Sequence, residues 1–68
     1  MERGVIKSVI DCGTIVQVVI DTDDHMLVLA ADGNLFRRAE AECGSLHGLR
    51  VQFSRNGWNG LEWFVPLD

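Results

Sequence analysis

Basic and aromatic side chains are the residues of this sequence whose chemistry points to a binding site. Guanidinium and ammonium groups contact phosphates, and aromatic rings stack on bases or pack against protein surfaces. Trp58 lies in a stretch that contains Asn-Gly twice, and Phe64 follows six residues later. Together with these two rings, four bases complete the predicted set of binding residues. The six are Arg3, Lys7, Arg50, Arg55, Trp58 and Phe64.

Catalytic and metal-binding patterns are not found in the sequence. An acidic run begins at Asp21, but a calcium loop starting there would have Met26 where glycine is needed and Asp32 where a bidentate glutamate is needed. Only Cys43 and His47 have local zinc-ligand spacing, and a zinc site is typically built from two such pairs. There is no glycine-rich phosphate loop or nucleophile elbow. We therefore expect a protein that is not an enzyme and has no metal and no cofactor.

Length and composition describe one small acidic domain over residues 1–68. Hydrophobic residues make up 47% of the chain, and ten acids against six bases give a net charge of −4. The longest apolar run, from Ile15 to Ile20, contains a glutamine and is far below the roughly 18 residues of a membrane span. Met1 leads directly into a strand-like run without a secretory signal. We expect a cytoplasmic protein with no membrane partner and with reduced, buried or half-buried cysteines.

Five strands are predicted from β-branched and alternating runs. The first three cover Gly4 to Ile10, Thr14 to Ile20 and His25 to Ala31, and their short turns favour antiparallel neighbours. The fourth strand is predicted from Leu49 to Arg55 and the fifth from Leu61 to Leu67. The loop between these two has the Asn-Gly pattern of a β-hairpin.

Alternation along the strands predicts which side chains face outward. In the last two strands it directs Phe53 and Trp63 into the core and Phe64 to the outside. Trp58, in the hairpin loop, is predicted to be a contact residue beside Phe64. Further outward apolar residues are expected at Val5, Val9 and Val19.

A short helix is predicted between the third and fourth strands, from Leu35 to Cys43, where apolar residues recur at three- and four-residue spacing. Asp32 or Asn34 can cap its start, and Gly44 can end it in a left-handed conformation. Arg37 lies in the first turns, although the helix dipole favours acidic residues there.

The order of these elements is strand, strand, strand, helix, strand, strand. It is the order of the five-stranded oligonucleotide/oligosaccharide-binding (OB) barrel, which has its helix between strands three and four. An SH3-like barrel also has five strands, but it usually carries a single helical turn late in the chain. We therefore predict an all-β domain with one short helix, folded as an OB-fold-like barrel, with the SH3-like barrel as the alternative.

Three stretches of the chain carry a family pattern: Gly4 to Lys7, Leu46 to Phe53 and Asn59 to Glu62. They resemble the first strand, the start of the fourth strand and the turn into the fifth strand of the bacterial cold-shock domain. The resemblance implies the same barrel and the binding of single-stranded nucleic acid. That family binds through aromatic residues on strands two and three, and both strands lack aromatic residues in this sequence. Ser8 also stands where the family has a tryptophan.

The distribution of charge favours a weak contact with single-stranded RNA or DNA. Strands one and four are neighbours in this barrel, so the four bases named above can share one surface with Trp58. Five aspartates lie in the turns that follow strands one to three, which would leave that surface locally basic.

The outward apolar residues favour an alternative function. Their number on so small a barrel exceeds what solubility requires, which is typical of a surface that meets a partner. This alternative is a protein-protein interaction module, with either a protein partner or a second copy in a homodimer.

Overall fold

A computed structural model describes residues 2–67 and contains five strands and one helix in the predicted order. The helix has eleven residues and precedes the fourth strand, unlike the single late turn of the alternative barrel. The elements are β1 (Glu2–Asp11), β2 (Ile15–Asp21), β3 (Met26–Asp32), α1 (Gly33–Cys43), β4 (Arg50–Asn56) and β5 (Gly60–Pro66).

The strands close into a barrel in the order β1-β2-β3-β5-β4, with β4 returning to β1. Short turns make β1, β2 and β3 an antiparallel meander, and β4 and β5 form an antiparallel hairpin. β3 and β5 run parallel and pair through Ala30 with Gly60 and Ala31 with Leu61. Antiparallel pairing of β1 with β4 confirms that the first and fourth strands are neighbours.

A β-bulge in β1 changes the alternation predicted for that strand. Ile6 lies opposite Ile20, but the next paired residue is Ser8, opposite Val19. The extra residue is Lys7, and beyond it the inward positions shift by one. Val9 consequently packs against the core, so the prediction that it faces outward is wrong.

A second irregularity, between β4 and β5, reverses the prediction for Trp63 and Phe64 in the last strand, while Leu61 is buried as its alternation predicts. Ser54 pairs with Trp63 and Arg55 pairs with Leu61, which leaves one extra residue in β5. Phe64 lies opposite the fully buried Phe53, and paired residues project to the same face of a sheet. Phe64 therefore packs against the core, and the prediction that it faces outward is wrong. Trp63, predicted to fill the core, is half-buried on the opposite face.

The core fills the interior of the barrel and the space beneath α1. Alternate residues of β2 point inward, and Phe53 is fully buried as predicted. Phe36 carries α1 onto the core, and its ring lies 6.0 Å from that of Phe64. Such a tilted pair stabilises the helix against β5. The core residues are Ile6, Val16, Val18, Ile20, Leu29, Ala31, Phe36, Leu46, Val51, Phe53 and Leu61.

Both ends of α1 are capped as the sequence predicts. The Asp32 carboxylate accepts a hydrogen bond from the backbone N–H of Asn34 at 3.1 Å. At the other end, Gly44 has a φ of +80°, and its N–H donates to the carbonyl of Glu40 at 2.8 Å. This positive φ explains the glycine, because side chains disfavour that backbone conformation.

Arg37 ties the first turn of α1 to the β1–β2 turn. Its guanidinium donates to the carbonyl of Gly13 at 2.6 Å and lies 3.7 Å from the Asp11 carboxylate. These contacts account for a base at a helix end that otherwise favours acids. The close approach also requires Gly33, because a Cβ there would lie 2.6 Å from the Gly13 carbonyl oxygen.

The remaining expectations concern the cysteines and membrane spans. Cys12 and Cys43 are free, and both are exposed rather than buried or half-buried. Cys12 lies in the β1–β2 turn and Cys43 ends α1, so neither contributes to the core. Over residues 2–67, no helix is long and apolar enough to cross a membrane.

Candidate binding surface

The structure distributes the six predicted binding residues over separate places. Arg3 and Arg50 line a groove of about 260 Å³ on the outer surface of β1 and β4. Arg55 and Trp58 line a second groove, of about 440 Å³, beside β3. Lys7 projects from the bulge in β1, and Phe64 lies beneath α1.

The basic surface predicted from β1 and β4 is largely neutralised by neighbouring acids. Arg55 donates to the Glu2 carboxylate at 2.7 Å, and the Lys7 ammonium lies 4.0 Å from Asp21. Asp21 and Asp23 also line the groove that holds Arg3 and Arg50. Exposed ion pairs contribute little stability, but they do cancel the local positive potential that would attract a phosphate backbone.

The outer surface of β2 and β3 carries five apolar side chains, of which three are exposed and those of Val19 and Ala30 are half-buried. Gln17, Asp21 and Asp32 lie on the same surface. Because the inner face of β2 is defined by the buried valines and isoleucine, the intervening residues face outward. Val19 lies directly opposite Val28, and Gln17 lies opposite Ala30. We call this surface the β2–β3 face, defined by Ile15, Val19, Met26, Val28 and Ala30.

The Trp58 groove adjoins this face along β3. Trp58 projects from the β4–β5 hairpin loop and is 91% exposed. Gly57 before it has a φ of +71°, which a tight hairpin turn needs and glycine supplies at no steric cost. Met26 and Val28 belong to both surfaces, with exposures of 60% and 56%. We define the Trp58 groove by the residues that line it, which are His25, Met26, Leu27, Val28, Leu29, Arg55, Trp58 and Asn59.

The structure brings together some of the residues predicted for the site and separates others. Trp58 and Arg55 are brought together as expected, while Phe64 is removed from the surface by the irregularity in β5. Met26 and Val28 were not among the predicted site residues. Their signal in the sequence is the run Met-Leu-Val-Leu, in which every residue is apolar. Because successive side chains of a strand point to opposite faces, such a run leaves apolar side chains on the outside of the barrel.

Side chains that could bind a metal do not cluster in the part of the chain that the structure covers. No group of three His, Cys, Asp or Glu residues comes together between residues 2 and 67. His25, the histidine of the Trp58 groove, has apolar and amide neighbours there as well as Arg55. The chemistry this surface offers is apolar contact, with an aromatic ring at one border.

Comparison with protein-family models, with curated proteins and with solved structures finds no match to this chain. What the protein binds must therefore be inferred from the chemistry of its surface.

Proposed function

We propose that this protein is a non-enzymatic binding module that contacts another protein through the β2–β3 face and Trp58. The observation that supports this function most strongly is the apolar surface that runs from the half-buried Val19 of β2 across the exposed Met26 and Val28 of β3 to the β4–β5 loop. Exposed apolar patches of this kind are typical of interaction sites on small soluble domains. Tryptophan is also the residue type that most often dominates the energy of a protein interface.

The barrel topology supports the same location. We assign the closed β1-β2-β3-β5-β4 barrel with its helix before β4 to the OB-fold-like class. Proteins of that class commonly bind ligands on the outer face of strands two and three and on the loop between strands four and five. The β2–β3 face and Trp58 occupy these positions.

Binding of single-stranded nucleic acid is the second candidate function. It is favoured by the exposed Trp58, which lines one groove together with Arg55, and by the resemblance to the cold-shock domain. Against it, the β2–β3 face offers aliphatic side chains, whereas base stacking contributes about 1–3 kcal/mol per base through aromatic rings. The net charge of −4 and the acids beside the bases also weaken attraction to phosphates.

A homodimer through the same face is disfavoured by charge. Asp23 and Asp24 lie at one end of β3 and Asp32 lies at the other. A twofold axis in the plane of the interface brings either the same ends or the opposite ends of β3 together, and both arrangements place aspartates across the interface from aspartates. A different protein partner avoids this repulsion.

Site-specific photocrosslinking in the cell that produces the protein tests the proposed function. A benzophenone amino acid, which keeps a large aromatic side chain at the position, replaces Trp58 in one variant. In the control variant it replaces Val65, a residue that is 46% exposed and lies outside both the β2–β3 face and the Trp58 groove. We expect the probe at position 58 to give an adduct that resists nuclease and whose mass differs from that of a homodimer. We expect the probe at position 65 to give little of this adduct. Equal adducts at both positions, or a nuclease-sensitive adduct at position 58, would contradict the proposal.

A further inference from the structure

We propose that the partner contributes one extended segment, which pairs as an added strand with the open edge of β3 in the Trp58 groove. The inference rests on the proposed function, because it specifies what kind of protein segment binds there. Strand pairing involves the backbone of β3 as well as its side chains. It therefore predicts protection of backbone amides in β3, which contact with an apolar face alone would not produce.

β3 has a strand neighbour along its full length on one side only. Every residue from Met26 to Asp32 pairs with β2. On the other side, the pairing with β5 is confined to Ala30 and Ala31. Among the residues that the structure describes, the stretch from Met26 to Leu29 has no strand opposite it on that side.

The backbone groups of Met26 and Val28 are directed to the open side. The N–H of Ala30 donates to the carbonyl of Asn59 at 2.8 Å, so Ala30 presents its backbone groups away from β2. The direction of N–H and C=O alternates along a strand. Val28 and Met26, two and four residues before Ala30, therefore present their donors and acceptors to the same side.

A groove lies along this edge. The Trp58 groove has a volume of about 440 Å³ and is lined by all four residues of the open stretch. Four residues of strand extend over about 13 Å, at 3.3 Å per residue. Trp58 is placed beside them, where its ring can cover the side chains of an incoming strand.

The open edge lacks the features that usually prevent strand addition. Proteins protect exposed edges with lysine, proline, bulges or a covering element. From Met26 to Leu29 there is no charged residue and no proline, and the pairing of this stretch with β2 is regular. An apolar and regular edge is the kind of surface that binds peptides by β-augmentation.

Charge at one end of the edge specifies the segment further. Asp23 and Asp24 lie in the turn just before Met26, and both are exposed. Asp24 forms no ion pair with another residue between 2 and 67, whereas Asp23 also lines the groove of Arg3 and Arg50. We infer that the segment alternates apolar and small polar residues and carries a lysine or arginine near the Met26 end.

Amide-resolved NMR with a synthetic peptide tests this inference on the full chain. The probe is an octapeptide of alternating threonine and valine with a lysine at each end, added to millimolar concentration. Two control peptides carry N-methyl groups on their backbone nitrogens. In one peptide the odd-numbered residues are methylated, and in the other the even-numbered residues are methylated. The two controls remove the backbone donors from opposite edges of the peptide while they keep its side chains.

The expected result is that hydrogen exchange at the Met26 and Val28 amides slows by at least about tenfold with the parent peptide. One N-methylated peptide loses binding and the other retains it. Replacing both lysines with glutamates weakens binding by about threefold or more.

Three results would overturn the inference. Equal binding by both N-methylated peptides would show side-chain contact without strand pairing. Unchanged hydrogen exchange at the Met26 and Val28 amides with millimolar peptide would show that the edge does not bind a strand. The proposed function would then still be tested independently by the crosslinking at position 58. Protection of both amides without peptide, in a concentration-dependent dimer, would assign the edge to a second copy of the chain.

Discussion

The backbone N–H of Ala30 donates to the carbonyl of Asn59 across 2.8 Å, and this bond connects β3 to the loop that carries Trp58. It lies at the point where the pairing between β3 and β5 begins. Because the connection is made by the backbone, it positions Trp58 beside the exposed residues of β3 whatever the side chain of residue 59 is. The apolar surface of the barrel is thus built from two parts of the chain that are far apart in sequence.

Replacing Phe64 with alanine tests the corrected alternation of β5. We expect the free energy of unfolding to fall by about 2 kcal/mol, because the side chain packs against the core and the Phe36 ring. Val65→Ala, at the exposed neighbouring position, should change stability by less than about 0.5 kcal/mol. Urea denaturation measures both values. A larger loss in the Val65 variant would support the original alternation instead.

Much of this fold could be predicted from the sequence, because its signals are local. The strands follow β-branched runs, and Asp32 and Gly44 have the side chain and the backbone freedom that helix ends need. The irregularities in β1 and β5 have no local signal, since an extra residue is favoured only when the barrel closes. For this reason simple alternation predicts the wrong face for Val9 and Phe64.

The candidate site was predictable only in its loop. Trp58 follows an Asn-Gly turn, which marks an exposed hairpin loop in any barrel. The basic surface could not be assessed from the sequence, because the acids that neutralise Lys7 and Arg55 come from distant positions. The ion pairs with Asp21 and Glu2 form only when β1 is placed between β2 and β4.

The close contact at Gly33 predicts a loss of stability in Gly33→Ala. The added Cβ would lie 2.6 Å from the Gly13 carbonyl oxygen and 3.1 Å from that of Thr14, so the start of α1 must shift. Overpacking of this kind costs about 1–3 kcal/mol. Thermal unfolding is the measurement, with Asn34→Ala as a control at the next, exposed position. Equal melting temperatures for the two variants would show that the β1–β2 turn accommodates the methyl group.

The contacts of Arg37 predict that it contributes more to stability than the adjacent Arg38. Arg37→Met removes the hydrogen bond to Gly13 and the ion pair with Asp11, and we expect a loss of about 1 kcal/mol. Arg38→Met should change stability by less than about 0.5 kcal/mol, as is usual for an exposed side chain. Chemical denaturation of the two variants at the same ionic strength makes the comparison. A greater loss with Arg38→Met would contradict the assigned contact.

Neutralisation of the basic surface predicts negligible binding of short single strands. With 12-residue DNA and RNA oligonucleotides at low salt and tens of micromolar protein, we expect no saturable movement of amide signals. The amides of Arg55 and Trp58 are the most sensitive reporters, because both residues line the same groove. Saturable shifts at these two amides that weaken as salt is added would instead support the nucleic-acid function.

The crosslinking yield from position 58 in two further variants tests the proposed binding surface most directly. Val28→Lys places a charge in the middle of the β2–β3 face, and Val65→Lys places the same charge at an exposed position of β5 outside that face. We expect Val28→Lys to lower the yield of the protein adduct by at least about tenfold, which corresponds to 1.4 kcal/mol of binding free energy where the partner is far from saturating. Val65→Lys should leave the yield unchanged. Equal yields in the two variants would contradict a binding site on the β2–β3 face.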